Sequence, residues 1–116
     1  TSCRKIFYGC KSLENIDLSR FDTKNIVTMC CMFMNCKNLK QLDLSSLSTG
    51  NVRERLTWFF RCSSLEQVNL SGLDTHNVEY MGQMFYGCES LKQLDLSSFN
   101  TEKFSIWEKC SLTVKV

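Results

Sequence analysis

The chain has 116 residues, of which 22% are charged and 43% hydrophobic, and this balance is typical of one globular domain. Its net charge of +2 is too small for a nucleic-acid binder that relies on a strongly basic face. No stretch approaches the ~18 consecutive apolar residues of a membrane-spanning helix, and the N-terminus lacks the pattern of a secretory signal.

One pattern recurs every 26 residues along the chain. The positions that keep this period are Phe7, Phe33, Phe59 and Phe85; Cys10, Cys36, Cys62 and Cys88; Leu13, Leu39, Leu65 and Leu91; Ile16, Leu42, Val68 and Leu94; Leu18, Leu44, Leu70 and Leu96; and Thr23, Thr49, Thr75 and Thr101. A fixed period of about 20–50 residues is typical of solenoids, and the spacing of the apolar residues fits a leucine-rich repeat. We therefore predict one α/β solenoid domain over residues 1–116, with units at roughly 7–32, 33–58, 59–84 and 85–110.

Each unit is predicted to contain a strand, a corner, a short helix and a return. In the second unit, Leu42 and Leu44 alternate with outward polar residues, which indicates a short strand. Thr49 then fits the N-cap of a helix. An apolar stripe predicts that helix most clearly in the first and third units. Gly9, Asn35 and Gly87 occupy the place of a left-handed helix end, where the third unit has Arg61.

The two ends of the chain depart from the repeat. Residues 1–6 resemble the tail of a preceding helix, and residues 111–116 alternate like a final, atypical strand. We therefore expect the chain to be a segment of a longer protein. Because a parallel stack leaves an open strand edge at each end, we also expect that end-to-end self-association can occur.

Two strings resemble a known family. They are Phe85-Tyr-Gly-Cys88-x-x-Leu91-x-x-Leu94-Asp95-Leu96-Ser97-x-Phe99 and Asp74-Thr75-x-Asn77-Val78-x-x-Met81-x-x-Met84-Phe85. Both look like the BspA-like leucine-rich repeats of bacterial surface proteins and mycoplasma lipoproteins, and the likeness covers nearly all of residues 6–101. The resemblance implies a right-handed solenoid at the cell surface or in a secreted protein, with adhesion or host-protein binding as its role. It supplies no catalytic residue. Residues 53–58 depart from the pattern, since Arg55 stands where Met29 and Met81 stand.

The outward strand positions make a first candidate binding surface, the strand face. Its candidate partner-binding residues are Asp17, Gln41, Asp43, Ser45, Gln67, Asn69, Ser71 and Asp95. Carboxylates in neighbouring strands repel one another, which favours a cation or a basic partner. The alternatives are a solvated acidic row, or carboxylates that bond to nearby backbone. A flat face converges poorly on one ion, so no metal site is predicted.

A second candidate surface, the ridge, follows the buried Phe column. Its candidate residues are Tyr8, Met34, Arg53, Arg55, Trp58, Phe60 and Tyr86. Large apolar groups in a row could be covered by a partner, or they could pack on the next unit.

Cysteine is abundant, at 8 residues, but its spacing does not indicate a metal site. Four cysteines belong to the repeat and are predicted to be core thiols, and no Cys-x-x-Cys pair occurs. Cys3 lies one unit before Met29, so a disulfide with Cys30 or Cys31 is possible, and the state of Cys110 is open. The single histidine, His76, is predicted at a corner, away from the cysteine column, so catalysis by a Cys–His pair is not expected.

These features predict a non-enzymatic binding or adhesion module of a bacterial surface or secreted protein, with a protein partner and no cofactor. A structural spacer without a ligand is the alternative, since the columns are nearly uniform. Recognition of ice or glycan by the hydroxyl columns is a weaker third hypothesis. A fold alone does not choose among them.

Overall fold

The computed structural model describes residues 2–54, 56–100, 102 and 113–115. Its strands are β1 (Gln41–Asp43), β2 (Gln67–Asn69), β3 (Gln93–Asp95) and β4 (Thr113–Lys115). β1 pairs in parallel with β2, and β3 pairs in parallel with β4. β4 lies within the segment 111–116 in which the sequence predicts a final strand.

The strands are short because their own side chains end them. In β1, Leu42 is buried between the exposed Gln41 and Asp43, as the alternation predicts. The Asp43 carboxylate then accepts a hydrogen bond from the Ser45 amide at 2.9 Å, which turns the chain out of the strand.

Consecutive units pack on one another with equivalent residues in register. Gln41, Leu42 and Asp43 pair with the residues 26 positions later, as the repeat predicts. The rings of the Phe column stack on one another: the centroids of Phe7 and Phe33 lie 5.3 Å apart, those of Phe33 and Phe59 5.8 Å, and those of Phe59 and Phe85 5.2 Å. The Phe column is therefore one continuous aromatic line through the hydrophobic core.

The segments predicted as short helices form turns in the described part of the chain. Some of their amides donate to the following unit: Phe33 N–H bonds to Trp58 O at 3.1 Å, and Phe59 N–H bonds to Met84 O at 3.1 Å. Other amides close turns within the unit, as Met34 N–H does with Cys31 O at 3.3 Å. Cys31, with φ 59°, also lies in the left-handed region and interrupts a helical path. The apolar stripe is buried, as predicted, but its backbone bonds form turns and contacts between units and not a continuous helix. The solenoid itself stays a prediction.

The Thr column binds the neighbouring unit and does not cap a helix. The Thr23 hydroxyl donates to Ser48 O at 3.0 Å and accepts from Ser48 N–H at 2.8 Å. Thr75, which is fully buried, accepts from the Asn100 amide at 3.0 Å. The hydroxyls of Thr23 and Thr75 therefore each join two corners, which the sequence of one unit alone does not predict.

The return of each unit passes through the left-handed region, as predicted for Gly9, Asn35 and Gly87, whose φ angles are 67°, 62° and 76°. Arg61, expected to be the exception, has a φ of 61° and shares this conformation. The backbone path is thus common to all four units, whichever residue occupies the position.

In the part of the chain that the structure describes, no helix is long and apolar enough to cross a membrane.

Candidate functional site

A shallow groove of about 640 Å³ runs across the strand face. Its lining residues are Asn15, Ile16, Asp17, Gln41, Leu42, Asp43, Gln67, Val68 and Asn69. They come from equivalent positions of three consecutive units, so the repeat itself builds the groove. Among these described lining residues are two carboxylates and no Lys or Arg, which gives the groove a negative charge although the chain as a whole carries +2.

A second depression, of about 850 Å³, continues along the strand face at β2 and β3. Glu66, Glu89 and Asp95 line it together with one cation, Lys92. The excess of carboxylates therefore extends beyond the first groove. Gln67 and Val68 line both depressions, so the two share one wall.

The strand-face carboxylates accept hydrogen bonds from nearby backbone, which is one of the alternatives left open by the sequence. The Asp17 carboxylate accepts from the Ser19 amide and Asp95 from the Ser97 amide, each at 2.9 Å. Asn69 makes the same bond to the Ser71 amide at 3.1 Å. An amide oxygen can therefore replace the carboxylate in this turn, so the turn itself does not require the negative charge.

These hydrogen bonds also lower the pKa of the carboxyl groups. Bonds from the backbone and side chain of Ser19 lower the pKa of Asp17. Bonds from the side chain and backbone of Ser45 lower the pKa of Asp43 in the same way. Both groups are exposed and stay charged at neutral pH, where a basic partner could meet them.

Most of the predicted strand-face residues meet in these depressions. Asp17, Gln41, Asp43, Gln67 and Asn69 line the first, and Asp95 lines the second. Ser45 and Ser71 are exposed at the turns that follow the strands. Sequence reasoning did not name the apolar floor, Leu42 and Val68, as part of the site because it placed those side chains in the core.

The ridge is only partly an exposed apolar surface. Tyr8 is 46% exposed, and Met34 is half-buried. Phe60 and Tyr86 are also half-buried, because their rings stack with centroids 5.0 Å apart. Much of the ridge therefore packs on its own neighbours, which agrees with the alternative that this column packs on the next unit.

The structure describes one of the two arginines that the sequence proposes for the ridge. Arg53 is exposed. Arg55 lies outside the described residues. The ridge residues that the structure describes are therefore Tyr8, Met34, Phe60 and Tyr86, together with the exposed Arg53.

The assignment of Trp58 to the ridge is wrong. Trp58 is fully buried, its ring meets that of Phe59 edge to face, and its indole N–H donates to Met29 O at 2.5 Å. The sequence held the signal for this: Trp58 lies 26 residues after Met32 and 26 before Met84, both fully buried. It belongs to a core column, so no partner can reach it in the folded chain.

The cysteine column consists of thiols that hold the turns together. The Cys36 thiol donates to Phe7 O at 2.9 Å, and the Cys62 thiol donates to Phe33 O at 3.0 Å. Burial raises the pKa of Cys62 to about 12. A protonated, buried thiol is a poor nucleophile and a poor metal ligand. These contacts support a structural role.

Two further cysteines form a pair that the sequence reasoning missed. The Sγ atoms of the adjacent Cys30 and Cys31 lie 2.9 Å apart, while Cys3 is a buried free thiol. Glu54 accepts a hydrogen bond from the Cys30 amide at 2.7 Å and pairs with Arg4 at 2.6 Å. The adjacency of the two cysteines was visible in the sequence, but the departure of residues 53–58 from the repeat hid the role of Glu54.

Within the described ranges, no three His, Cys, Asp or Glu side chains converge to hold a metal ion. His76 lies at its predicted corner, with Nδ1 3.0 Å from the Asp74 carboxylate. Two hydrogen bonds from His76, one from its backbone and one from its side chain, lower the pKa of Asp74. The corner is thus another turn closed by a carboxylate.

Comparison with known proteins gives one family. No curated protein and no solved structure matches the chain. The model of a family described as "Mycoplasma protein of unknown function, DUF285" matches residues 1–112, nearly the whole length. With its repeat, its stacked equivalent residues and this match, the chain belongs to the DUF285 family of Mycoplasma proteins.

Proposed function

We propose that this chain is a non-enzymatic protein-binding or adhesion module of a bacterial cell-surface or secreted protein. Its partner contributes a basic, extended segment that lies in the strand-face groove. The observation that carries the proposal is the row of ionised carboxylates across neighbouring units, in a groove whose described lining residues include no cation. Such a surface attracts and orients a positively charged partner over a distance of about 8–10 Å at physiological salt.

The architecture that we propose for this function is a leucine-rich-repeat-like, right-handed solenoid of the BspA-like type. Parallel strands in register and a continuous Phe column support it. Stacked units present extended surfaces, and an extended surface suits a partner in an extended conformation. The surface location and the protein partner come from the resemblance of the repeats, and both belong to the proposal.

A set of neutral substitutions tests the proposal without removing the turns. Asp17→Asn, Asp43→Asn and Asp95→Asn together take three charges from the strand face, and each keeps the acceptor oxygen that Asn69 already uses. The matched control is Asp22→Asn with Asp74→Asn, because these carboxylates close similar turns by bonding to the Lys24 and His76 amides. They are not among the described residues that line either depression.

The measurement is binding of immobilised protein to a panel of purified host extracellular proteins at low and high salt. We expect that any partner bound by the wild type is released by salt, is bound by the control, and is lost by the strand-face variant. A partner that binds the strand-face variant equally well would contradict the assignment of the groove.

A structural spacer is the second candidate function, and a specific observation favours it. β1 and β3 carry the same sequence, Gln-Leu-Asp, and β2 differs by conservative replacements. A surface that reads a partner in detail usually varies between units. If no panel member binds at any salt concentration, the spacer becomes the better account.

A further inference from the structure

Cys30 and Cys31 form a vicinal dithiol at the surface of a depression of about 340 Å³. The depression is lined by Arg4, Lys5, Cys30, Cys31, Glu54 and Glu79. Both cysteines are half-buried, unlike the fully buried Cys62. The pair is therefore within reach of a small solute, and it takes no part in the strand-face groove.

The backbone holds the two thiols together. The Cys30 amide donates to Glu54 at 2.7 Å, and the Cys30 carbonyl accepts from the Lys5 amide at 3.1 Å. Cys31 lies in the left-handed region, with φ 59°, a conformation that is uncommon for residues other than Gly. The equivalent residues Lys5 and Gln83 have φ angles of 57° and 62°, so the backbone path of the repeat itself sets the conformation of Cys31.

The two sulfur atoms lie near bonding distance of each other. The Sγ atoms are 2.9 Å apart, and a disulfide bond of about 2.05 Å needs only about 0.9 Å of further approach. The Thr57 hydroxyl lies 3.3 Å from the Cys31 sulfur and 3.7 Å from the Cys30 sulfur, so it can hydrogen-bond to either. Arg4 and Lys5 line the same depression together with the carboxylates Glu54 and Glu79, and Arg4 pairs with Glu54 at 2.6 Å. Burial, above all, and the neighbouring Cys31 and Glu54 raise the pKa of Cys30, while the hydrogen bond with the Thr57 hydroxyl lowers it.

We propose that Cys30 and Cys31 are a reversible oxidation site that takes hydroperoxides and closes into a vicinal disulfide. One thiolate attacks the peroxide, so that an S–O bond forms, the O–O bond breaks, and the departing oxygen leaves as an alcohol or water after taking a proton. The second sulfur then attacks the sulfenic sulfur. The S–S bond forms, the S–O bond breaks, and hydroxide leaves with the thiol proton as water. The sulfurs lose two electrons in all, and the peroxide gains them.

The disulfide that results is easily reduced. Consecutive Cα atoms are about 3.8 Å apart across a trans peptide, less than the usual span of about 4.4–6.8 Å between bridged residues. Such strain raises the reduction potential, so ordinary thiols reopen the ring. Reversibility separates this site from oxidation to sulfinic acid, which thiols do not reverse.

Mass spectrometry of the peroxide-treated native protein tests the proposal. We expect the peptide with Cys30 and Cys31 to lose two hydrogen atoms in mass, to resist alkylation at both residues, and to recover fully with dithiothreitol. Cys62 in the same chain is the internal control and stays an alkylatable thiol once the protein is unfolded. Sulfinic or sulfonic acid at the pair without the disulfide, pairing of either residue with Cys3, or unreacted thiols would each overturn the proposal.

A variant and a second probe keep the test independent of folding. In Cys31→Ser, the sulfenic acid at Cys30 has no neighbour to close on, so we expect dimedone to trap it. A trivalent arsenical binds paired thiols. It should bind the untreated wild type and fail to bind both the peroxide-treated wild type and Cys31→Ser. Equal arsenical binding by the variant would contradict the pair as the site, whereas the peroxide result on the wild type stands without any substitution.

Discussion

The hydroxyl of Thr49 makes two hydrogen bonds to the backbone of Asp74, one unit further along the chain. It donates to the Asp74 carbonyl at 2.9 Å and accepts from the Asp74 amide at 2.8 Å. Thr49 itself is buried. One side chain thus satisfies both backbone groups of a corner in the next unit, and it couples the stability of the two units.

Thr49→Val should lower the free energy of unfolding by about 1–3 kcal/mol, because two backbone groups lose their partner while the volume is unchanged. Urea unfolding followed by circular dichroism measures the change. Thr28→Val is the matched control, since the Thr28 hydroxyl is buried without a hydrogen-bond partner. That substitution should leave stability unchanged or raise it. Equal losses in the two variants would refute the role of the Thr column.

Arg61→Gly should stabilise the fold by about 0.5–1 kcal/mol, because Arg61 occupies a left-handed conformation that costs a side-chain-bearing residue about 1–2 kcal/mol. Part of the gain is offset by the greater freedom of Gly in the unfolded chain and by loss of the guanidinium contact with the Phe60 ring. Thermal unfolding of the two proteins side by side measures this. Gly87→Ala, at the equivalent position, should change the melting temperature in the opposite direction. A lower melting temperature for Arg61→Gly would contradict the strain.

Cys62→Ala should destabilise the protein by about 1–2 kcal/mol, since it removes the bond from the thiol to Phe33 O and leaves a small cavity. Cys10→Ala should cost less, because Cys10 is only partly buried. Chemical denaturation of both variants gives the comparison. If Cys62→Ala leaves the free energy of unfolding unchanged, the thiol column fills space but does not stabilise the turns.

The strand-face carboxylates predict an acid-sensitive fold. The pKa values of Asp17 and Asp43 are lowered in the folded state, so the unfolded chain takes up protons first as pH falls. Their stabilisation is therefore complete above the unfolded pKa of about 3.9 and is lost as pH falls through the lower folded pKa. Unfolding experiments between neutral and strongly acidic pH should show a smaller loss for Asp17→Asn with Asp43→Asn than for the wild type. If the double variant and the wild type lose the same stability as pH falls, Asp17 and Asp43 do not contribute to the acid sensitivity.

The sequence was sufficient for the register and for most of the buried columns. A period shared by Phe33, Leu42 and Cys36 can only place equivalent residues side by side, and the alternation around Leu42 marks a strand. The sequence did not predict the backbone conformation between the strands. An apolar stripe has the same spacing in a helix and in a series of turns whose amides bond to the next unit, so the pattern did not distinguish them.

The candidate site was predictable to a similar degree. The outward positions of β1 and β2 follow directly from alternation, and they line the groove. The order of residues beside Phe59 and Phe60 does not show where Trp58 lies, whereas its spacing of 26 residues from Met32 and Met84 predicts the core. The approach of Cys30 to Cys31 also involves Glu54, which lies in the segment that departs from the repeat. The left-handed conformation of Cys31, in contrast, recurs at the equivalent residues Lys5 and Gln83.

We propose that the strand-face groove holds a basic partner segment. The most direct test of this proposal is an NMR titration of the isotope-labelled protein with a short peptide of alternating Lys and Ser, beside a peptide of alternating Glu and Ser. If the groove binds such a segment, the Lys peptide shifts the amide signals of Gln41–Asp43 and Gln67–Asn69, salt reverses these shifts, and the Glu peptide has no effect. Shifts centred on Tyr8 and Phe60, or no shifts with the Lys peptide, would contradict it.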